Sequence, residues 1–154
     1  MEIEVVRLAG PHRAGLHELL VAEGWDHVAK ELQENGLDVF TQYVALRGER
    51  VVGWLEGTLR YEAAVDIPRI PRPWAQVNFI LCHPSMRRRG IGTALLRRFA
   101  RDETSAGRRF VVLWPDRQDA YARTAFFTAL GFRPVPGTEL LGTDLPHVLT
   151  GPAH

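Results

Sequence analysis

A chain of 154 residues with 45% hydrophobic composition can bury one core but is short for two ordinary domains, so a single domain over residues 1–154 is expected. The opening MEIEVVRL has acids where a signal peptide has a basic start, no apolar run nears the roughly 18 residues of a membrane span, and Cys82 is the only cysteine, which together predict a soluble cytoplasmic protein with no membrane partner, internal disulfide or metal. The formal net charge of +1 conceals an acidic segment, Pro11 to Asp38, and a basic one, Arg87 to Arg109, that say more about partners than the total does.

Ile3–Leu8 reads as a strand, and Pro11–Asn35 as one or two helices broken near Gly24 and stopped at Gly36. Between Pro11 and Asp38 six acids face only Arg13 and Lys30, a local charge of −4; a solvated helix face explains it, and a cationic substrate would suit it. Val39–Arg47 and Val51–Tyr61 are β-rich and separated by the turn residues Gly48 and Glu49, which predicts a hairpin. The next stretch, IPRIPRPW, is read as a loop because proline lacks the amide a sheet ladder needs. Ala75–Cys82 alternates early and turns apolar late, as a central strand does, and Pro84 ends it.

From Gly90 onward Ile91, Ala94, Leu95 and Phe99 recur at helical spacing, and Gly107 supplies a C-terminal glycine. Phe110–Trp114 reads as a short buried strand closed by Pro115, so strand, helix and strand make a parallel right-handed crossover. A second helix sets Ala122, Ala125, Phe126, Ala129 and Leu130 on one face, with Asp119 to cap it and Gly131 to end it. Phe132–Val135 reads as another strand, and the remainder to His154 as one irregular strand and a tail. There is no internal repeat and no low-complexity segment.

The segment HPSMRRRGIGTALL runs from a central strand through a short turn into the start of an amphipathic helix. Such a junction binds phosphate: amides of the first helical turn point outward, the helix dipole favours negative charge, and Gly90 and Gly92 let a pyrophosphate approach the backbone. From Arg87 to Arg109 eight arginines face only Asp102 and Glu103, a local charge of +6. Neither GxGxxG nor a GK followed by Ser or Thr is present, so the pyrophosphate ligand is neither a dinucleotide nor a nucleoside triphosphate held in the usual loop.

These residues resemble the GNAT superfamily of N-acetyltransferases, whose coenzyme A motif, R/Q-x-x-G-x-G/A after a strand, matches Arg87, Gly90 and Gly92 after Cys82-His83-Pro84. The downstream AFFTALGF is similar to the family's Y-x-x-L-G-F, with Leu130, Gly131 and Phe132 in register. The resemblance implies an α/β fold with a mixed, mostly antiparallel sheet of six or seven strands and flanking helices, splayed between the fourth and fifth strands. It also implies acetyl-coenzyme A as cosubstrate. Arg87 and the amides from Arg88 through Arg89, Gly90, Ile91 and Gly92 to Thr93 would hold the pyrophosphate. Pantetheine would lie beside the strand ending at Leu81 and Cys82, with a backbone amide near Cys82 stabilising the developing oxyanion. Phe127 takes the place of the family's tyrosine beside the coenzyme and has no proton to give the departing thiolate; Tyr121, six residues earlier, lies about 120° around the helix.

Many relatives carry a glutamate on the strand leading to the pyrophosphate turn, where this chain offers Gln76 and Asn78, which can order water or substrate but cannot act as bases. Glu56 and Asp116 are the remaining candidate bases, and His83 beside Pro84 is a turn residue that could titrate near neutrality. The expected reaction is acetyl transfer to the primary amine of a small molecule or peptide. A coenzyme A-binding module without efficient chemistry is the alternative, because the tyrosine and glutamate are absent. Nucleic acid is not an expected partner, since the arginine helix lacks interleaved aromatics, and a homodimer is left open.

Overall fold

The computed structural model describes residues 2–35, 40–59, 70, 73–86, 90–114 and 120–150. Its elements are β1 Glu4–Arg7, α1 Arg13–Ala22, α2 Asp26–Asn35, β2 Phe40–Arg47, β3 Arg50–Leu59, β4 Trp74–Cys82, α3 Ile91–Ser105, β5 Phe110–Leu113, α4 Ala120–Ala129, β6 Arg133–Pro134, β7 Leu141–Asp144 and α5 Leu145–Thr150. Seven strands form one sheet in the order β1-β2-β3-β4-β5-β7-β6, antiparallel throughout except for the parallel β4–β5 pair. The hairpin turns where expected, with Gly48 left-handed at φ 61°. Gly36, the Arg60–Tyr61 end of the second run, Asp119 and most of IPRIPRPW lie outside the described residues.

Strand alternation sends side chains to two cores. On one face Leu16, Leu19, Leu20, Val28 and Ala29 from α1 and α2 pack on Val44, Val51, Trp54 and Leu81. On the other, Ile91, Leu95 and Phe99 of α3 join Ala45, Leu55, Val77, Val111 and Leu113. Two glycines let α3 approach closely: a Cβ on Gly53 would come within 2.7 Å of Ile91 Cγ2, and one on Gly57 would enter the Phe99 ring. Gly53 and Gly57 share a face of β3, and Ile91, Leu95 and Phe99 share a stripe of α3 at intervals of four, so helix and strand interlock along their length.

Three expectations need correction. The C-terminal segment is not a tail: LPHVLT forms α5, which buries Leu145 and Val148 in the α3 core, and its six residues and Pro146 were too few to show a helical period. The buried side of α4 carries Phe127 and Leu130, whereas Ala125 and Ala129 are exposed; both sides of this helix are apolar, and only packing against the sheet chooses between them. Trp114 lies beyond the end of β5 and is 53% exposed, not buried.

Part of the basic segment is structural. The hydroxyl of buried Tyr43 donates to Asp102 at 2.7 Å, Arg98 donates to Asp102 at 3.1 Å and to Val5 O at 2.8 Å, and the Arg7 and Arg98 guanidiniums lie over the Tyr43 ring. Burial, reinforced by Asp102, pushes the Tyr43 hydroxyl up, so it stays a donor. Arg108 closes on Glu103 with an N–O distance of 2.6 Å. These arginines fasten α3 to the sheet and its following turn.

Candidate active site

The sheet opens between β4 and β5. Described pairs run from Trp74–Phe110 to Val77–Leu113, while β3 and β4 stay paired through Gly53–Cys82, so Asn78–Cys82 extend past the last pairing with β5. His83 N–H donates to Val52 O on β3 at 2.8 Å. Successive amides alternate between the two edges of a strand, which turns the Cys82 amide toward the β5 side. The Leu81 side chain is 3% exposed and packs with Trp54, so a ligand here would meet main chain.

Beyond β4, Pro84–Met86 makes a short 3-10 turn, and Gly90 starts α3 from a left-handed conformation (φ 79°) that a side chain would strain. Ile91 and Thr93 turn their side chains inward, at 1% and 4% exposure, leaving main chain and dipole at the helix start. Gly92 has a packing reason as well: a Cβ there would come within 3.0 Å of Phe126 Cζ, so the α4 ring lies close against its backbone. His83 is the expected turn residue, with Nδ1 2.7 Å from Ser85 Oγ and Nε2 3.1 Å from Arg50. Arg87, Arg88, Arg89 and Asp116 lie outside the described residues.

The structure brings Gln76, Asn78 and Glu56 together. A bulge in β4 pairs Glu56 with Phe79 and Gly57 with Val77, leaving Asn78 as the extra residue. Asn78 Nδ2 donates to Glu56 Oε1 at 3.3 Å, and Gln76 Nε2 donates to Asn78 Oδ1 at 2.8 Å. Glu56 is 4% exposed. Burial pushes its carboxyl up to about 7, against the pull of the Asn78 hydrogen bond and with a further push from the Glu31 charge on α2. A buried carboxyl titrating near neutrality, beside two amides that can orient water, has the properties of a general base.

The Phe127 ring is 3% exposed in the main core, edge-on to Phe126 at 5.1 Å and to Phe132 at 5.5 Å, which gives it a packing role. Sequence reasoning overlooked Trp25 and Phe79. Phe79 stacks on Trp54 at 5.7 Å and meets Trp25 edge-on at 5.4 Å, beside Glu56; the bulge that aims Phe79 there leaves no mark in the sequence.

A mixed sheet that parts beside its central strand, with a helix N-terminus at the open end, is the fold of coenzyme A-dependent N-acetyltransferases. The chain is similar to the PaiA N-acetyltransferase of Thermoplasma acidophilum in complex with coenzyme A (TM-score 0.67, 16% identity, covering 94% of this chain and 99% of that one). It is similar to the ribosomal-protein-S18-alanine N-acetyltransferase of Escherichia coli (0.71, 14%, 94% and 94%) and to an aminoglycoside 6'-acetyltransferase type Ii (0.69, 19%, 94% and 97%). The chain belongs to the GNAT family of acetyltransferases, whose family model matches residues 10–132, and is an acyltransferase of that family. No curated protein sequence matches it significantly.

The residues fit a coenzyme A ligand: left-handed Gly90 opens the helix start toward the pyrophosphate position, and the free length of β4 offers an edge for pantetheine. Among the described residues no group of potential metal ligands occurs and no helix is long and apolar enough to cross a membrane.

Proposed function

We propose that this chain, as a single domain over residues 1–154, transfers acetyl from acetyl-coenzyme A directly to a primary amine, with Glu56 as general base. The observation that carries this reading is the buried Glu56 carboxyl joined through Asn78 to Gln76 where β4 and β5 part. Acetyl-coenzyme A supplies an activated thioester. Asn78 and Gln76 order water between the acceptor and Glu56, and Glu56 takes a proton from the acceptor ammonium. The neutral nitrogen attacks the carbonyl carbon, forming the C–N bond as the C–S bond breaks. The Cys82 amide stabilises the charge that develops on the carbonyl oxygen. The acceptor nitrogen gives its remaining surplus proton to the sulfur, so no side-chain acid is needed where Phe127 stands.

Two measurements test this. Acetyl-coenzyme A at 100 times its dissociation constant should stabilise the fold by about 2.7 kcal/mol, several degrees in Tm, and an amine panel should release free thiol. No shift at millimolar ligand sinks the reading; a shift without thiol release from any amine leaves a coenzyme-binding module, for which Phe127 in the tyrosine position would speak.

The pH profile follows from the same carboxyl. A base must be unprotonated, so kcat/KM should rise with pH through about 7. Glu31→Gln removes a charge that holds the Glu56 carboxyl up and should move the acidic limb toward lower pH. An unmoved limb would assign it to another group.

A further inference from the structure

Trp114 is one of two large hydrophobic residues exposed among those described, at 53%, and it stands one residue beyond the point where β4 and β5 part. Val112 is paired with Gln76 and shares its side of the sheet, while Leu113 enters the opposite core; continued one residue past the end of β5, the same alternation would put Trp114 on the side of Gln76, Asn78 and Glu56. On the β4 side of the opening the bulge places Phe79 on this same face, backed by buried Trp54 and met edge-on by Trp25 at 5.4 Å. Trp25 is held firmly, its amide bonded to Leu20 O at 2.8 Å and its carbonyl accepting from Val28 and Ala29. The helix it introduces, α2, carries the exposed Glu31, whose charge acts on Glu56.

We propose that the acceptor is a primary amine on an apolar alkyl or aryl body, held over Gln76, Asn78 and Glu56 between the Trp114 indole and the Phe79–Trp25 pair. The inference rests on the reading of Glu56 as the base. The ammonium of such an amine is drawn by ring faces and by the Glu31 and Glu56 carboxylates, which also oppose an acceptor carrying a carboxylate. Its apolar body covers indole surface that is otherwise left to water, a gain a hydroxylated acceptor does not make.

The test compares three unhindered primary amines, phenylethylamine, hexylamine and ethanolamine, with rates referred to the free-amine concentration of each. Phenylethylamine and hexylamine should each exceed ethanolamine in kcat/KM by about tenfold or more, and their ratio tells aryl from alkyl preference. Trp114→Ala should lower kcat/KM for the preferred amine by about tenfold, through acceptor KM, with KM for acetyl-coenzyme A unchanged and a smaller loss with ethanolamine, and Trp114→Phe should restore most of it. Equal use of ethanolamine, an equal effect of Trp114→Ala on all three amines, or thermal stabilisation by acetyl-coenzyme A with none of the three consumed overturns the acceptor assignment and leaves acetyl transfer standing. Absence of both thiol release and stabilisation overturns the proposed function itself.

Discussion

Glu56→Gln is expected to lower kcat/KM for acetyl transfer by about 10² to 10⁴-fold, the usual contribution of a general base, without weakening acetyl-coenzyme A binding. The substitution keeps the shape of the side chain and its hydrogen-bonding oxygen toward Asn78, so the cluster survives while the proton acceptor is lost. A second readout separates this loss from misfolding. The folded-state pKa of Glu56, about 7, lies above the ordinary 4.5, so the folded protein binds the proton more tightly than the unfolded chain does. The stability this adds is complete below pH 4.5 and is lost as pH rises through 7, where the buried carboxylate is charged. The shift converts to roughly 3 kcal/mol between the two limits. Glu56→Gln should therefore flatten that dependence and make the protein more stable than wild type at pH 8. Inactivity combined with a raised Tm at that pH identifies a functional carboxyl; unchanged turnover assigns deprotonation of the amine to bulk water.

Gly57→Ala should cost about 2 to 3 kcal/mol of stability, a fall in Tm of roughly 5 to 10 °C, because its Cβ would enter the Phe99 ring under α3. Gly57 is not left-handed, so backbone strain plays no part and the cost is steric. The relief mutation is Phe99→Leu. Alone it leaves a cavity; combined with Gly57→Ala it should cost less than the two separate effects together, with a coupling of about 0.5 to 3 kcal/mol. Lifting α3 also moves Gly90 away from the end of β4, so KM for acetyl-coenzyme A should rise in Gly57→Ala more than in the double variant. Strict additivity would mean that Gly57 and Phe99 are not in contact.

The crossover and the turn into α3 were legible because their signals are local: a run of apolar residues ending at Pro84, glycines at 90 and 92, and a helical stripe up to Gly107. Glu56 was legible as an acid within an apolar strand, but its burial depends on α2 and on a bulge in β4, elements distant in sequence or unmarked in it. The spacing of Gln76 and Asn78 put them on one side of a strand; the hydrogen bonds through Asn78 to Glu56 depended on that same bulge. The packing reason for Gly92 could not be read locally, since the ring beside it comes from Phe126, on a helix that follows another strand.

The parting of β4 and β5 also has the geometry of a lever. Among the described residues four pairs join the strands, from Trp74–Phe110 to Val77–Leu113, so β1 to β4 form one plate and β5, β7 and β6 another, meeting along a short fulcrum. Cys82 lies five residues past that fulcrum, about 17 Å along the strand, so a small change of angle at Val77 and Leu113 is multiplied into a larger change in aperture at the mouth. Those two side chains are 2% and 1% exposed, and their volumes set the width between the plate that bears Glu56 and the plate that bears Trp114.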